Sequence, residues 1–150
     1  MDFVRTINNA VQSLPGTNIY ELLDLFDIEV QYEPLLITHQ RESMILISSS
    51  GKAVIFLRPT TDMKYAEFLL WHEMAHYVLH YKPNTRMNYY LSTRREETEQ
   101  QANIFAVLCL LRHDDLADQK PLDAAVTHGV PRLIAADVIR ILAENRYTLK

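Results

Sequence analysis

The sequence predicts an α+β fold on three observations. Apolar residues recur at helical spacing near the start and through the second half, while the stretch from residue 28 to 59 breaks into short runs rich in β-branched and aromatic residues. The chain has 150 residues and is 48% hydrophobic, the size of one core. A chain of that length buries about two thirds of its unfolded surface. One domain over residues 1–150 is expected, with a helix pair at about 122–145 inside it.

Residues 2–13 place Phe3, Val4, Ile7, Ala10 and Val11 on one helical face, and Pro15-Gly16 stops the run. Thr17 and Asn18 offer caps for a short helix over 19–26, striped by Ile19, Leu22, Leu23 and Phe26. The period then changes. IEVQYEP, LLITHQ, MILISS and KAVIFLRP, separated by Pro34, Gln40-Arg41-Glu42 and Ser49-Ser50-Gly51, read as an antiparallel meander whose last turn is a hairpin. After Pro59, Thr60-Thr61-Asp62 caps a strongly apolar helix over 63–81, ended by Pro83-Asn84. The polar, tyrosine-bearing stretch 82–92 reads as a loop, and Thr93 with Glu96 matches a capping box opening a helix over about 93–112. A helical piece over 122–128, Gly129 at its stop and Pro131 opening a last helix to about 145 complete the chain.

Composition excludes several classes of function. A net charge of −4 and a pI near 5.8 give no basic footprint for a phosphate backbone, so direct nucleic-acid binding is not expected. Cys109 is the only cysteine and lies in the apolar run AVLCLL, which leaves no disulfide framework or thiolate cluster and fits a reduced, cytoplasmic setting. No stretch approaches the roughly 20 apolar residues needed to span a bilayer, and the first residues carry no apolar segment of signal-peptide length.

The chemistry concentrates in WHEMAHYVLH, residues 71–80. Residues four apart on a helix share a face, so His72 and His76 can close on one ion with Glu73 beside it. Histidines alone are more often satisfied core imidazoles. That reading leaves unexplained a carboxylate on a helix otherwise as apolar as a core element, since a buried unpaired glutamate is costly. Hydrolytic zinc takes three protein ligands and keeps one position open. The third is sought on another helix, in RREETEQQANIFAVLCLL. Glu99 is followed at helical spacing by Ala102 and Ala106, a small face that admits close approach of a neighbour, and Ala75 offers a similar patch on the first helix. A solvated acidic first turn favoured by the helix dipole accounts well for Glu96 and Glu97, whereas Glu99 lies further in, at the edge of the apolar run.

WHEMAHYVLH followed by ETEQQANIFAVLCLL resembles the ImmA/IrrE metallopeptidases, whose pattern is HExxHxxxH and then an acidic residue three places before Ala-Asn-x-Phe-Ala. Those positions are here Glu99, Ala102, Asn103, Phe105 and Ala106, and the likeness extends to NIYELLDLFDIEV and to the ending HGVPRLIAADVIRIL. The resemblance implies a compact zincin-like α+β fold, a small antiparallel sheet packed on the HExxH helix and the Glu-bearing helix, with a helical C-terminus. It implies one Zn2+ held by His72, His76 and Glu99, and Glu73 as the catalytic acid/base. Two departures stand out: Ala75 replaces the usual Gly, and Leu110-Leu111-Arg112-His113 stands where Leu-Met-Pro is common.

In such a site Glu73 takes a proton from the attacking water and passes it to the leaving amine. A donor must also face the developing oxyanion. His80, Tyr89 and Tyr90 are the candidates, with His80 better suited to the helix end, beyond the ligands. The tail 122–142 has the outline of a DNA-reading helix-turn-helix, but its second helix offers Arg132, Asp137 and Arg140 without an array for reading bases, so packing or docking is the better reading. The expected function is a zinc-dependent site-specific endopeptidase. Its partner, by resemblance, is a helix-turn-helix repressor of a phage or mobile element, which cleavage inactivates. The alternative is a non-hydrolytic anti-repressor that binds the repressor and uses zinc structurally. Glu73 favours the enzyme, since a structural zinc site is normally closed by a fourth protein ligand and needs no adjacent base.

Overall fold

The computed structural model describes residues 3–34, 41–59, 62–82 and 95–149, together with the backbone of residues 89–91. In chain order the elements are α1 (Phe3–Ser13), α2 (Ile19–Leu25), β1 (Ile28–Tyr32), β2 (Ser43–Ser48), β3 (Ala53–Leu57), α3 (Met63–Ala75), β4 (Tyr89–Leu91), α4 (Glu96–Leu111), α5 (Pro121–Thr127) and α6 (Arg132–Glu144). The α+β class and the helical ends agree with the sequence. Asn18 caps α2 by accepting from the Glu21 N–H at 2.9 Å, and Asp62 caps α3 by accepting from the Tyr65 N–H at 3.1 Å.

The sheet differs from the expected meander in its order. Among the described residues the strands run β1-β3-β2-β4. The hairpin is present: β2 and β3 pair antiparallel from Ser43 opposite Leu57 to Ile47 opposite Ala53, and Gly51 takes φ +87° in the turn. β1, however, lies on the far side of β3 and runs parallel to it, Ile28 opposite Ala53 and Tyr32 opposite Leu57. The strand directions alternate as a meander requires. The connection over residues 33–42 is long enough to carry the chain past one strand, so β3 separates β1 from β2. LLITHQ, residues 35–40, falls outside the described residues. A second correction concerns the expected loop 82–92, where β4 pairs antiparallel with β2, Leu91 opposite Leu46 and Tyr89 opposite Ser48. A third concerns the capping box. α4 opens at Glu96 with Arg95 in the cap position and no side-chain cap, so Glu96 cannot act as the third helical residue of a Thr93 box.

α3 is the centre of the core. Every residue from Phe68 to Ala75 is buried, with β2 and β3 on one side and α4 on the other. α4 in turn packs on α1 and α6. Ala75, Ala102 and Ala106 are fully buried, and α3 packs directly on α4. The α5–α6 turn locks onto the start of α3 through Gly129, at φ +95°. A Cβ there would lie 2.4 Å from the Lys64 carbonyl carbon, so only glycine permits the approach, and the Lys64 ammonium donates to the Thr127 carbonyl at 3.1 Å beside it. α6 is thereby held where Ile134 borders the cleft described next. Its Arg140 is paired with Asp137 and Glu144 on the exposed face, while Ala135, Val138, Ile141 and Leu142 face the core. No helix among the described residues is long and apolar enough to cross a membrane.

Candidate metal centre

The α3 backbone sets His72 and His76 one turn apart, and α4 brings Glu99 against them from the facing helix. His72 Nε2 lies 3.2 Å from one Glu99 carboxylate oxygen and His76 Nε2 lies 3.2 Å from the other. Among the described residues these three are the one group of His, Cys, Asp or Glu side chains able to hold a metal, their donor atoms all within 4.8 Å of one another. Donors bound to zinc at about 2.0–2.2 Å in a tetrahedron stand about 3.4 Å apart, close to the 3.2 Å that separates each histidine nitrogen from its own Glu99 oxygen. Both outward ring nitrogens are also engaged. His72 Nδ1 meets Asn103 Oδ1 at 2.8 Å, and His76 Nδ1 meets His80 Nδ1 at 2.8 Å. Bonds at Nδ1 leave Nε2 as the inward donor on each ring. Two imidazoles and a carboxylate with a face open to a cleft suit zinc by ligand type.

Glu73 sits on the same helix, 2% exposed. Ser43, at the head of β2, donates its hydroxyl hydrogen to Glu73 Oε2 at 2.6 Å, and that oxygen is 4.0 Å from His72 Nε2. The other oxygen, Oε1, is buried with no hydrogen-bond partner among the described residues. An unsatisfied carboxylate oxygen costs about 1–3 kcal/mol or more, which packing alone has no reason to retain. His72, Glu73 and Glu99 border a cleft of about 200 Å3, with Ser43 on one wall and Phe68, Leu69 and Ile134 on others.

Electrostatics join the cluster. Burial works against the Glu99 carboxylate, but hydrogen bonds and charge from His72 and His76 outweigh it and hold its pKa far below the ordinary carboxylate range. Burial likewise opposes the His72 imidazolium, yet bonding to Glu99 and the charge of Glu73 prevail, and its pKa is raised. A cation entering the triangle must displace those imidazole protons.

The acidic turn divides as the helix periodicity requires, with Glu96 and Glu97 exposed and Glu99 turned inward. His80 does not border the cleft, and both its ring nitrogens are committed, Nδ1 to His76 and Nε2 to Gln101 Oε1 at 2.8 Å. That removes it as an oxyanion donor. The side chains of Tyr89 and Tyr90 lie outside the described residues. Ser43 and Gln101 were not anticipated. Ser43 left a signal, since it shares the inward face of β2 with Ile45 and Ile47, a polar residue in phase with the core positions. Gln101 left none within its polar run.

An HExxH helix crossed by a Glu-bearing helix beneath a small sheet defines the chain as a metallopeptidase with a candidate zinc site at His72, His76 and Glu99. The family model described as the IrrE N-terminal-like domain matches residues 23–130, and the chain belongs to that family, the ImmA/IrrE metallopeptidases. The match takes in both motifs and every element from β1 to α5, and it stops short of α6. Comparison with curated proteins and with solved structures finds no match.

Proposed function

We propose that this chain is a zinc-dependent, site-specific endopeptidase in which His72, His76 and Glu99 hold the metal and Glu73 is the catalytic acid/base. The observation that carries the reading is the buried Glu73 carboxylate, fixed at one oxygen by Ser43 and with no partner among the described residues at the other, beside a His-His-Glu triangle. Zinc bound there supplies Lewis acidity towards a peptide carbonyl and towards water. Glu73 accepts the proton of the attacking water and returns it to the leaving amine, while the Ser43 hydroxyl holds the carboxylate in one orientation for both transfers. Asn103 fixes the ring of His72 from behind. The substrate is a polypeptide, and the cleft of about 200 Å3 accommodates few side chains, which supports a narrow substrate range. The ImmA-like motif arrangement favours a helix-turn-helix repressor of a phage or mobile element as that substrate, inactivated by cleavage. Weak or no action on casein is expected.

Glu73→Gln tests the enzyme reading. The variant is expected to retain metal and fold and to lose about 10^2 to 10^4 in the rate of repressor-peptide cleavage, since the amide keeps the volume and removes the base. Cleavage at the wild-type rate would overturn the hydrolytic assignment and leave the binding-only anti-repressor.

A further inference from the structure

His80 and Gln101 are left over by the proposed chemistry, yet they are joined to it. At the end of α3 the helix widens over His76–His80, where the Tyr81 N–H donates to the His76 carbonyl five residues back at 2.8 Å. Such widened turns are rare and concentrate at functional sites. Here the turn sets the rings of His76 and His80 with centroids 4.9 Å apart and their Nδ1 atoms 2.8 Å apart. Beyond His80, Nε2 meets the Gln101 side-chain oxygen on α4 at 2.8 Å.

We propose that His80 and Gln101 are positioning residues, an outer rung that sets the tautomer and ring angle of His76 for metal binding. The inference rests on the reading of His76 as a ligand. The chain of bonds then has one consistent direction. A His76 ring that offers Nε2 to a cation carries its proton on Nδ1 and donates it to His80 Nδ1. His80 therefore carries its own proton on Nε2 and donates it to the Gln101 oxygen. Gln101 closes the rung because its oxygen can only accept. The two ligand histidines are thus backed in the same way by different groups, His72 by the Asn103 amide oxygen directly and His76 by an imidazole that an amide oxygen orients. Outer partners of this kind hold ligand orientation and typically contribute 10- to 100-fold in metal affinity.

The parallel with Asn103 supplies a test that separates positioning from packing. His80→Gln replaces the acceptor with an amide oxygen, whereas His80→Phe keeps an aromatic ring and removes the acceptor. Zinc affinity is measured at pH 8 by competition with a chromogenic chelator, alongside thermal unfolding of the metal-free proteins. His80→Phe is expected to weaken zinc binding about 10- to 100-fold, His80→Gln to stay near wild type, and Gln101→Leu to fall between them with no further effect in the His80→Phe background. Affinity in His80→Phe equal to wild type, or His80→Gln as weak as His80→Phe, overturns the rung. Should His80→Phe fail to fold, Gln101→Leu decides alone, and wild-type affinity there also overturns it. His76→Ala measured in parallel distinguishes the two levels. If that variant binds zinc like wild type, the metal centre itself is wrong, whereas loss in His76→Ala with no loss in His80→Phe refutes only the rung.

Discussion

Among the described residues histidine meets carboxylate at two places that differ in everything except the groups involved. His128 Nε2 and Asp114 Oδ2 are 2.8 Å apart, both side chains partly exposed at 34% and 24%, one donor facing one acceptor. His72 and His76 meet Glu99 at the longer distance of 3.2 Å, with the imidazoles 8% and 0% exposed. The shorter contact is a single histidine–carboxylate pair near the surface, worth about 0–1 kcal/mol. The longer one gathers a donor atom from each of three residues within 4.8 Å of one another, backs each imidazole with a further hydrogen bond and places a buried carboxylate alongside. Convergence and burial, and not the closeness of any one contact, separate a metal centre from a salt bridge.

The largest expected effect breaks the buried cluster. His72→Ala or His76→Ala should abolish stoichiometric metal in protein purified without chelator and reduce peptide cleavage to background, as read by elemental analysis and a cleavage assay. Full metal content in either variant would assign the site elsewhere.

A smaller effect concerns pH. In metal-free protein the lowered Glu99 pKa contributes stability that is present above its ordinary value of 4.5 and lost as pH falls through the lowered one. The raised His72 pKa contributes stability that is present below 6.5 and lost as pH rises through the raised value. The contribution of this cluster to the chelated protein is therefore greatest between about 4.5 and 6.5. Zinc displaces the imidazole protons, so its affinity should rise with pH across the same range and above it. Unfolding temperatures of zinc-loaded and chelated protein should accordingly diverge from pH 6 to pH 8, and parallel curves would contradict the shared site.

The smallest effect belongs to the exposed pair. Asp114→Asn should cost at most about 1 kcal/mol in urea unfolding and leave metal content and cleavage unchanged. A change in metal content there would erase the distinction between the two pairs.

Much of this arrangement was legible in the sequence because it follows from periodicity. The spacing of His72 and His76, the burial of Glu73 and the inward turn of Glu99 against exposed Glu96 and Glu97 are consequences of 3.6 residues per turn on helices whose apolar positions are plain. What escaped depends on contacts between segments. The parallel pairing of β1 with β3 is not encoded in the alternation of either strand, which specifies a face and not a neighbour. β4 is three residues long and reads as polar loop until it is set beside β2. The widened turn at His76–His80 follows no local signal of Gly or Pro, and Gln101 acquires its meaning only from the His80 ring across the helix interface. Ser43 was recoverable in principle, as the polar member of an inward-facing row.

The central claim is that Glu99 completes the triangle, and the most direct measurement is zinc content and affinity across Glu96→Ala, Glu97→Ala, Glu99→Ala and Glu99→Gln. Both Glu99 variants are expected to lose tightly bound zinc and cleavage together, since the amide preserves packing volume but coordinates zinc poorly. Glu96→Ala and Glu97→Ala should bind like wild type, with at most about 0.3–1 kcal/mol of stability lost from the helix dipole. Wild-type zinc binding in Glu99→Ala, or loss confined to Glu96→Ala or Glu97→Ala, would contradict the account at its third ligand.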